Sequence, residues 1–505
     1  MYRIVLNVLN LTRFNVKFDT HCVKVSLLRS CDHFIMASLM HILTFLAIIG
    51  SICSTPISSK VSPGLQKKFR QGPTSKVLVT FATGTRAVLD FVSQNEYPDR
   101  DTLLFSLATA LDLNSAQSQS SVRSYLSTTN FTFDPLWVTD QLWIKDATLE
   151  LVETLAAFPE VVDISDDEDT FFRKPSSPSD NLCVGRPGPL AEWGVAKVRA
   201  EEAVVLLKSV LPNLPTIRIA TIDTGVRYTH EALRDNYLGD WGWFDPSQGT
   251  PMPNDGNGHG THTTGTIAGS LGIGVYPDAK WMACKGCATN FCSMYDLIKC
   301  GQWVLCPTLA DGTRRDCSKA PHLVSNSWGI DYIQGTDWFD NVIEAWHVGH
   351  VLPVFSIGNS GPNCATAGYP GSLDVIGVGS TTTADAISSF SSVGPSIHSV
   401  MKPDISAPGS AVVSASHTAD NAYRTLSGTS MACPHVAGVS AIILAFNETL
   451  SYEEVKGTLF TGAATNLMTS GRVCDGVIDS VFPNHVFGHG RVDALASLES
   501  LINRK

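Results

Sequence analysis

Gly428-Thr429-Ser430-Met431-Ala432-Cys433-Pro434-His435-Val436-Ala437-Gly438 is the stretch on which the reading of this chain turns. Small residues before Ser430 lead into an apolar run, 436–446, whose length and Ala/Ile/Leu content read as a buried helix. Ser430 then stands at a helix N-terminus, where free backbone N–H groups and the positive end of the helix dipole favour a neighbouring anion. A nucleophile that passes through an oxyanion gains from that place. Pro434 fits a first turn, where a missing N–H costs no helical hydrogen bond. An isolated Gly-Thr-Ser string is as readily a plain N-cap on a core helix. Its meaning therefore rests on the rest of the chain.

At 505 residues the chain exceeds one compact domain, and its length suggests about two to four units. A hydrophobic content of 44% with 16% charged residues supplies a sizeable core. The formal net charge of −11 and the absence of a long basic tract argue against nucleic acid as a partner. Thirteen cysteines point to an oxidising compartment. Residues 36–52 agree with that: they are uncharged and apolar, follow Arg29 and other basic residues, and precede Cys53-Ser54-Thr55-Pro56. They read as a secretory signal, about 36–54 within a leader 1–54, that starts functionally near Met36 and leaves the protein secreted and extracellular. If translation begins at Met1, the same run is internal and 36–52 reads instead as an uncleaved membrane anchor.

Residues 55–75 are rich in Ser, Pro, Lys and Gln and read as a linker. Lys76-Val77-Leu78-Val79-Thr80-Phe81 reads as a strand and 102–113 as a helix, with 115–121 a polar break. Trp137-Val138-Thr139 and Leu142-Trp143-Ile144 suggest extended chain. A helix over 147–157, with Asp146 as its N-cap, and the strand Val161-Val162-Asp163-Ile164 complete a small α+β domain, 76–170. After the acidic run Asp166-Asp167-Glu168-Asp169, the Pro/Ser-rich stretch 171–180 reads as an exposed, cleavable linker. From 181 to 505 apolar strands alternate with helix-length segments, which argues a parallel α/β sheet with chemistry at the carboxyl ends of its strands.

Asp223-Thr224-Gly225 comes directly after the apolar strand Arg218-Ile219-Ala220-Thr221-Ile222. Gly258-His259-Gly260-Thr261-His262 opens a helix of small residues. An Asp in a turn or a single His is ordinarily structural, but the two together with Ser430 fill three linked roles. A serine hydroxyl needs a base, imidazole titrates near neutrality, and a carboxylate fixes the imidazole tautomer. Asn359, at the end of Pro353-Val354-Phe355-Ser356-Ile357-Gly358-Asn359, offers an amide to a developing oxyanion. The candidate catalytic residues are Asp223, His259 and Ser430, with Asn359 at the oxyanion.

Asp223-Thr224-Gly225, His259-Gly260-Thr261-His262, Gly358-Asn359 and Gly428-Thr429-Ser430-Met431-Ala432 together resemble the diagnostic segments of the subtilase family of serine endopeptidases, most like its bacillopeptidase-type branch. The resemblance extends over about 181–495. It implies a subtilisin-like parallel sheet with helices on both faces, and Ser327, Trp328 and Gly329 as a substrate-lining strand. It further implies peptide-bond hydrolysis in protein or peptide substrates through an acyl-enzyme on Ser430. Residues 76–170 resemble the family's inhibitory propeptide, which implies a zymogen held by its own propeptide as an intramolecular inhibitor and matured by a cut between 169 and 181. A catalytically silent subtilase-like binding protein is the alternative, and the intact Asp, His, Ser and Asn positions speak against it.

No cofactor is required by this chemistry. The resemblance admits a structural calcium, although no acidic loop of this sequence matches a ligand set, and no metal ligands are assigned. Ten cysteines lie beyond the propeptide-like region; the Cys284-x-x-Cys287 spacing lacks a second zinc half-site, so disulfides are expected with connectivity open. Cys433 is expected as a buried thiol and His435 as structural. Asn130-Phe131-Thr132 and Asn447-Glu448-Thr449 are glycosylation sequons for a eukaryotic secretory route. Ser360, uncharged beside Asn359, suggests a neutral primary pocket. A monomer is expected.

Overall fold

The computed structural model describes residues 59–167, 191–288, 291–330 and 337–503, with the backbones of strands Val16–Asp19, Cys22–Val25, Asp169–Phe171 and Leu182–Val184. The chain divides into Met1–Val61, in which the first two of those strands pair antiparallel, and Ser62–Lys505. The signal or anchor stretch 36–52 and all but the first residue of the 171–180 junction lie outside the described residues.

The larger unit begins with α1 (Pro63–Phe69), β1 (Thr74–Phe81), α2 (Arg86–Ser93), α3 (Arg100–Ser118), α4 (Ser120–Leu126), β2 (Phe133–Leu136), β3 (Gln141–Thr148), α5 (Leu149–Ala156) and β4 (Val161–Asp166). The strands form an antiparallel sheet in the order β2-β3-β1-β4, with Leu78 opposite both Trp143 and Ser165. Several local expectations are corrected. The stretch 55–75 is no simple linker, because Ser62 caps α1 through the Leu65 N–H, Pro63 starts that helix, and β1 begins at Thr74. Polar 115–121 is helical apart from Gln119: Gln119 Nε2 donates to Asp140 Oδ1 at 3.0 Å and Arg123 Nε to Gln119 Oε1 at 2.9 Å, so these polar groups are satisfied inside the fold. Trp137 to Thr139 make the β2–β3 turn, and α5 is capped by Thr148, Asp146 lying within β3.

Two short strands, β5 (Asp169–Phe171) and β6 (Leu182–Val184), precede α6 (Trp193–Lys197) and α7 (Ala200–Val210). Next come β7 (Arg218–Asp223), β8 (Trp243–Phe244), α8 (His259–Ala268), β9 (Lys280–Lys285), β10 (Phe291–Ser293), α9 (Met294–Leu305), β11 (Leu323–Asn326) and α10 (Asp340–Val348). The chain continues through β12 (Leu352–Ser356), β13 (Ile376–Thr381), β14 (Ile405–Pro408), β15 (Val412–Ala415), β16 (Ala422–Leu426), α11 (Thr429–Phe446), α12 (Tyr452–Gly462) and α13 (Ala494–Ile502). A seven-stranded parallel sheet runs β8-β9-β7-β11-β12-β13-β14.

Strand alternation sends successive side chains to opposite faces. On β7, Ile219 joins Val354, Ile376 and the α11 residues Val436, Val439 and Ile443 in one core, while Ala220 and Ile222 join Phe355, Leu297, Val304 and Trp346 beneath α9 and α10 in the other. The second core continues into Leu78, Leu104, Leu107 and Leu136 of the N-terminal sheet and helices, so that layer is seated on α9 and α10. Among the described helices α11 alone has the length and apolar composition to cross a membrane, and here it is the core helix, 94% enclosed.

Candidate active site

The carboxyl end of β7 delivers Asp223. Its Oδ1 accepts from the Thr224 N–H at 2.7 Å and its Oδ2 from Thr263 Oγ1 at 3.1 Å. His259 Nδ1 lies 2.8 Å from Oδ1 and 3.0 Å from Oδ2, and both residues are 2% exposed. A carboxylate only accepts, so Nδ1 carries the proton and Nε2 is left as the basic nitrogen. His259 is placed by the start of α8. Gly258 enters that helix at φ 97°, packed against the His417 ring so that a Cβ would collide with it. Asp255 organises the approach: Oδ1 accepts from Asn257 N, Gly258 N and Thr224 Oγ1, and Oδ2 from Thr261 N and Oγ1. The sequence reading does not single out Asp255; its Asx-turn position, two residues before Asn257 and three before Gly258, is the signal that marks it.

Ser430 lies in the first turn of α11 and is 3% exposed. Its Oγ donates to Ser327 O at 3.1 Å, and Ser327 Oγ donates back to Ser430 O at 3.0 Å. The second bond has a cause in the sequence. Pro434, expected in the first turn, is the sixth residue of α11. Lacking an N–H, it cannot bond the carbonyl four residues back, which is that of Ser430. Ser327 takes the vacated acceptor and ties the helix to the segment just beyond β11.

Asn359 is held by its carbonyl end: Oδ1 accepts from Thr429 N and Thr429 Oγ1, both at 2.9 Å. The amide Nδ2 is thereby directed away from Thr429, and Asn359 lines the same small cavity as Ser430. That cavity also takes in Ser327, Trp328, Gly329, Gly368 and Tyr369, and among the described residues no charged one lines it. Gly368 and Tyr369 escaped the sequence reading because they lie far along the chain and carry no catalytic residue type. Gly368 is required there, since a Cβ would come within 2.7 Å of Ile330 O. Ser360 is not part of the lining; its N–H donates to Ser392 Oγ at 3.0 Å.

Two histidines nearby are structural. His262 Nε2 faces Val412 O and Arg424 O, and burial lowers its pKa to about 3. His435 Nδ1 donates to Met431 O at 2.8 Å, and burial lowers it to about 4. Cys433 is a free buried thiol beside Ser325 Oγ, pushed up to about 11 by burial. The disulfides are Cys284–Cys300, Cys287–Cys292, Cys306–Cys317 and Cys364–Cys474; Cys284 and Cys287 therefore serve different partners, and the side chain of Cys183 lies outside the described residues. Among the described residues no group of three or more His, Cys, Asp or Glu is placed to hold a metal. A larger cavity, lined by Arg100, Arg218, His322 and Leu352 among others, opens at the amino ends of the strands, away from these groups.

The family model described as the Subtilase family matches residues 215–490. Bacillopeptidase F of Bacillus subtilis (strain 168) is 31% identical over 495 residues, 88% of this chain and 33% of that protein. Serine protease AprX of the same organism is 32% identical over 49% of this chain and 61% of its own length. Subtilisin DY of Bacillus licheniformis is 32% identical over 50% of this chain and 84% of its own. The chain thus spans less than two thirds of the first two relatives.

Proposed function

Because the chain belongs to the subtilase family, we propose that it is a secreted serine endopeptidase, made as a zymogen, in which Asp223, His259 and Ser430 cut peptide bonds. The observation that carries this reading is the buried Asp223–His259 pair, at 2.8 Å, at the carboxyl end of a central strand, with Ser430 opening α11 from the edge of the neutral cavity. His259 Nε2 takes the hydroxyl proton when Ser430 Oγ leaves Ser327 O and attacks the scissile carbonyl. Asp223 stabilises the imidazolium, and Asn359 Nδ2 with the Ser430 N–H receives the oxyanion. His259 then protonates the leaving amine, and water hydrolyses the acyl-enzyme. Residues 76–170, seated on α9 and α10, act as the inhibitory propeptide, and the apolar stretch 36–54 directs secretion.

The absence of a charged residue from the described lining supports a neutral side chain at the residue whose carbonyl is attacked. The test compares matched peptides carrying Phe, Leu or Arg at that position, for the wild type and Ser430→Ala. Hydrolysis by the wild type alone, with Phe or Leu at least about tenfold faster than Arg, is expected. Equal turnover by Ser430→Ala refutes the nucleophile, and an Arg preference refutes the pocket.

A further inference from the structure

The cavity at the amino ends of the strands brings two guanidiniums and a histidine together. Arg100, the first residue of α3, and Arg218, the first residue of β7, both line it. Arg100 Nη1 and Arg218 Nε donate to one oxygen, Ala320 O, at 3.5 and 3.0 Å, so the two cations stand side by side. Arg100 Nε and Nη2 donate further to His350 O at 3.3 Å and Pro321 O at 2.5 Å. Carbonyls thus fix the forks without neutralising them. Asp101 and Glu448 act on both from a distance, and among the described residues no carboxylate forms an ion pair with either. Burial, and then the charge of Arg218, brings Arg100 down to about 10. Arg218 spends only its Nε–H on the protein among the described residues, which leaves its Nη groups as donors. His322, 8% exposed, adds a third donor. Its Nδ1 accepts the Arg218 backbone N–H at 3.0 Å, so Nε2 carries the proton, and Glu448 Oε2 at 3.8 Å is too far to accept it.

We infer that this cavity is a binding site for an oxyanion, a phosphate or sulfate group received by Arg100, Arg218 and the Nε2–H of His322. Guanidinium forks match the oxygens of such a group, and the charge-assisted bonds supply the counter-charge that the protein withholds. The cavity, of about 1230 Å³, also has Leu352, Leu444 and Val455 on its wall, so it admits the group on an apolar body as well as the free ion. Of the acids on that wall, Asp99 caps α3 through the Thr102 N–H, Asp101 is exposed, and Glu448, 51% exposed, is the charge that opposes an incoming anion beside His322. Arg100 belongs to the N-terminal layer and Arg218 to the central strand of the peptidase sheet, so one anion replaces their mutual repulsion by a shared attraction and ties the two layers together. The site is independent of the reading of Ser430 as the nucleophile.

The experiment titrates inorganic phosphate, and separately phenyl phosphate, into full-length Ser430→Ala of verified intact mass by isothermal calorimetry, with Arg100→Gln, Arg218→Gln and Glu448→Gln each added to that background. Phosphate should bind the parent with a Kd of about 1 mM or below, each Arg variant about tenfold more weakly, and Glu448→Gln roughly threefold more tightly. Phosphate should also raise the Tm of the parent, and sodium chloride at equal ionic strength should not. Tighter binding of phenyl phosphate assigns the site to a group carried on a larger molecule, and equal or weaker binding assigns it to the free ion. Glu448→Gln changes an exposed side chain and keeps the test decisive should an Arg variant fail to fold. The proposal is overturned by an absence of phosphate binding up to about 20 mM, by a Tm rise that chloride matches, or by binding that Glu448→Gln and the folded Arg variants leave unchanged.

Discussion

Asp296 lies in the first turn of α9, directly under the N-terminal layer, and is 7% exposed. Ser293 Oγ caps its backbone N–H at 3.0 Å. The neighbouring Tyr295 N–H donates to Asp167 Oδ1 at 3.1 Å, Asp167 Oδ2 accepts from Trp143 Nε1 at 3.1 Å, and Trp143 stacks on Tyr295 with ring centroids 4.2 Å apart. Asp134 takes Tyr295 Oη at 2.6 Å and Lys299 Nζ at 2.9 Å, while Lys76 and Asp245 act on Asp296 from further away. Burial first, and then the negative charge of Asp167, raise the Asp296 carboxyl from 3.8 to about 7, against the Ser293 hydrogen bond and Lys76.

A carboxyl whose pKa is raised by folding binds its proton more tightly in the native state. Its contribution is fully present below pH 3.8 and is lost as pH rises through about 7. The interval corresponds to about 4 kcal/mol, at about 1.36 kcal/mol per tenfold change. With an unfolding entropy of about 2.1 cal/mol/K per residue over about 440 residues, that is about 4 °C in Tm. The assay is scanning calorimetry of full-length Ser430→Ala with and without Asp296→Asn, from about pH 4 to about pH 8. The buried histidines His262, His322 and His435 titrate with the opposite sign, but equally in both chains, and cancel in the difference. The two should melt together near about pH 4, and the Asn variant should melt higher by up to about 4 °C at about pH 8. A gap that does not change with pH refutes the reasoning. Since Asp167 and Trp143 belong to the N-terminal layer, the same proton linkage predicts that this layer is held most firmly in acid and loosened toward neutrality.

Asn359→Ala should lower kcat on the order of 10²-fold with KM little changed, because its amide serves charge that develops only in the transition state; steady-state kinetics on a Phe peptide read this, and a pure KM effect would contradict it. Replacing both Cys364 and Cys474 by Ser opens a loop whose ends are 110 residues apart and should remove about 2–5 kcal/mol of stability while leaving kcat/KM intact; denaturant titration and peptide kinetics on the same preparation check both halves.

The features legible in the sequence were those enforced by a strong local pattern. Strands such as β7 and β12 are buried on both faces and therefore read as continuous apolar runs, which only a covered parallel sheet accommodates. Glycines beside His259 and Ser430 mark close backbone approach, so chain order and flanks placed both residues at helix starts. The parts that escaped were set by partners distant in the chain. Gly368 and Tyr369 complete the cavity from 38 and 39 residues beyond Ile330, and β5 and β10 are three residues each, too short for any periodicity to declare them. Pro434 shows how one residue can be misplaced for a sound local reason and still be informative. Its missing N–H suits a first turn, yet the helix starts at Thr429, so a carbonyl inside the nucleophile helix loses its partner. That carbonyl belongs to Ser430, and Ser327 satisfies it while its own carbonyl accepts from Ser430 Oγ. The proline that would ordinarily weaken a core helix thereby locks the nucleophile to the segment after β11 that lines the cavity, a coupling visible only once both ends are in place.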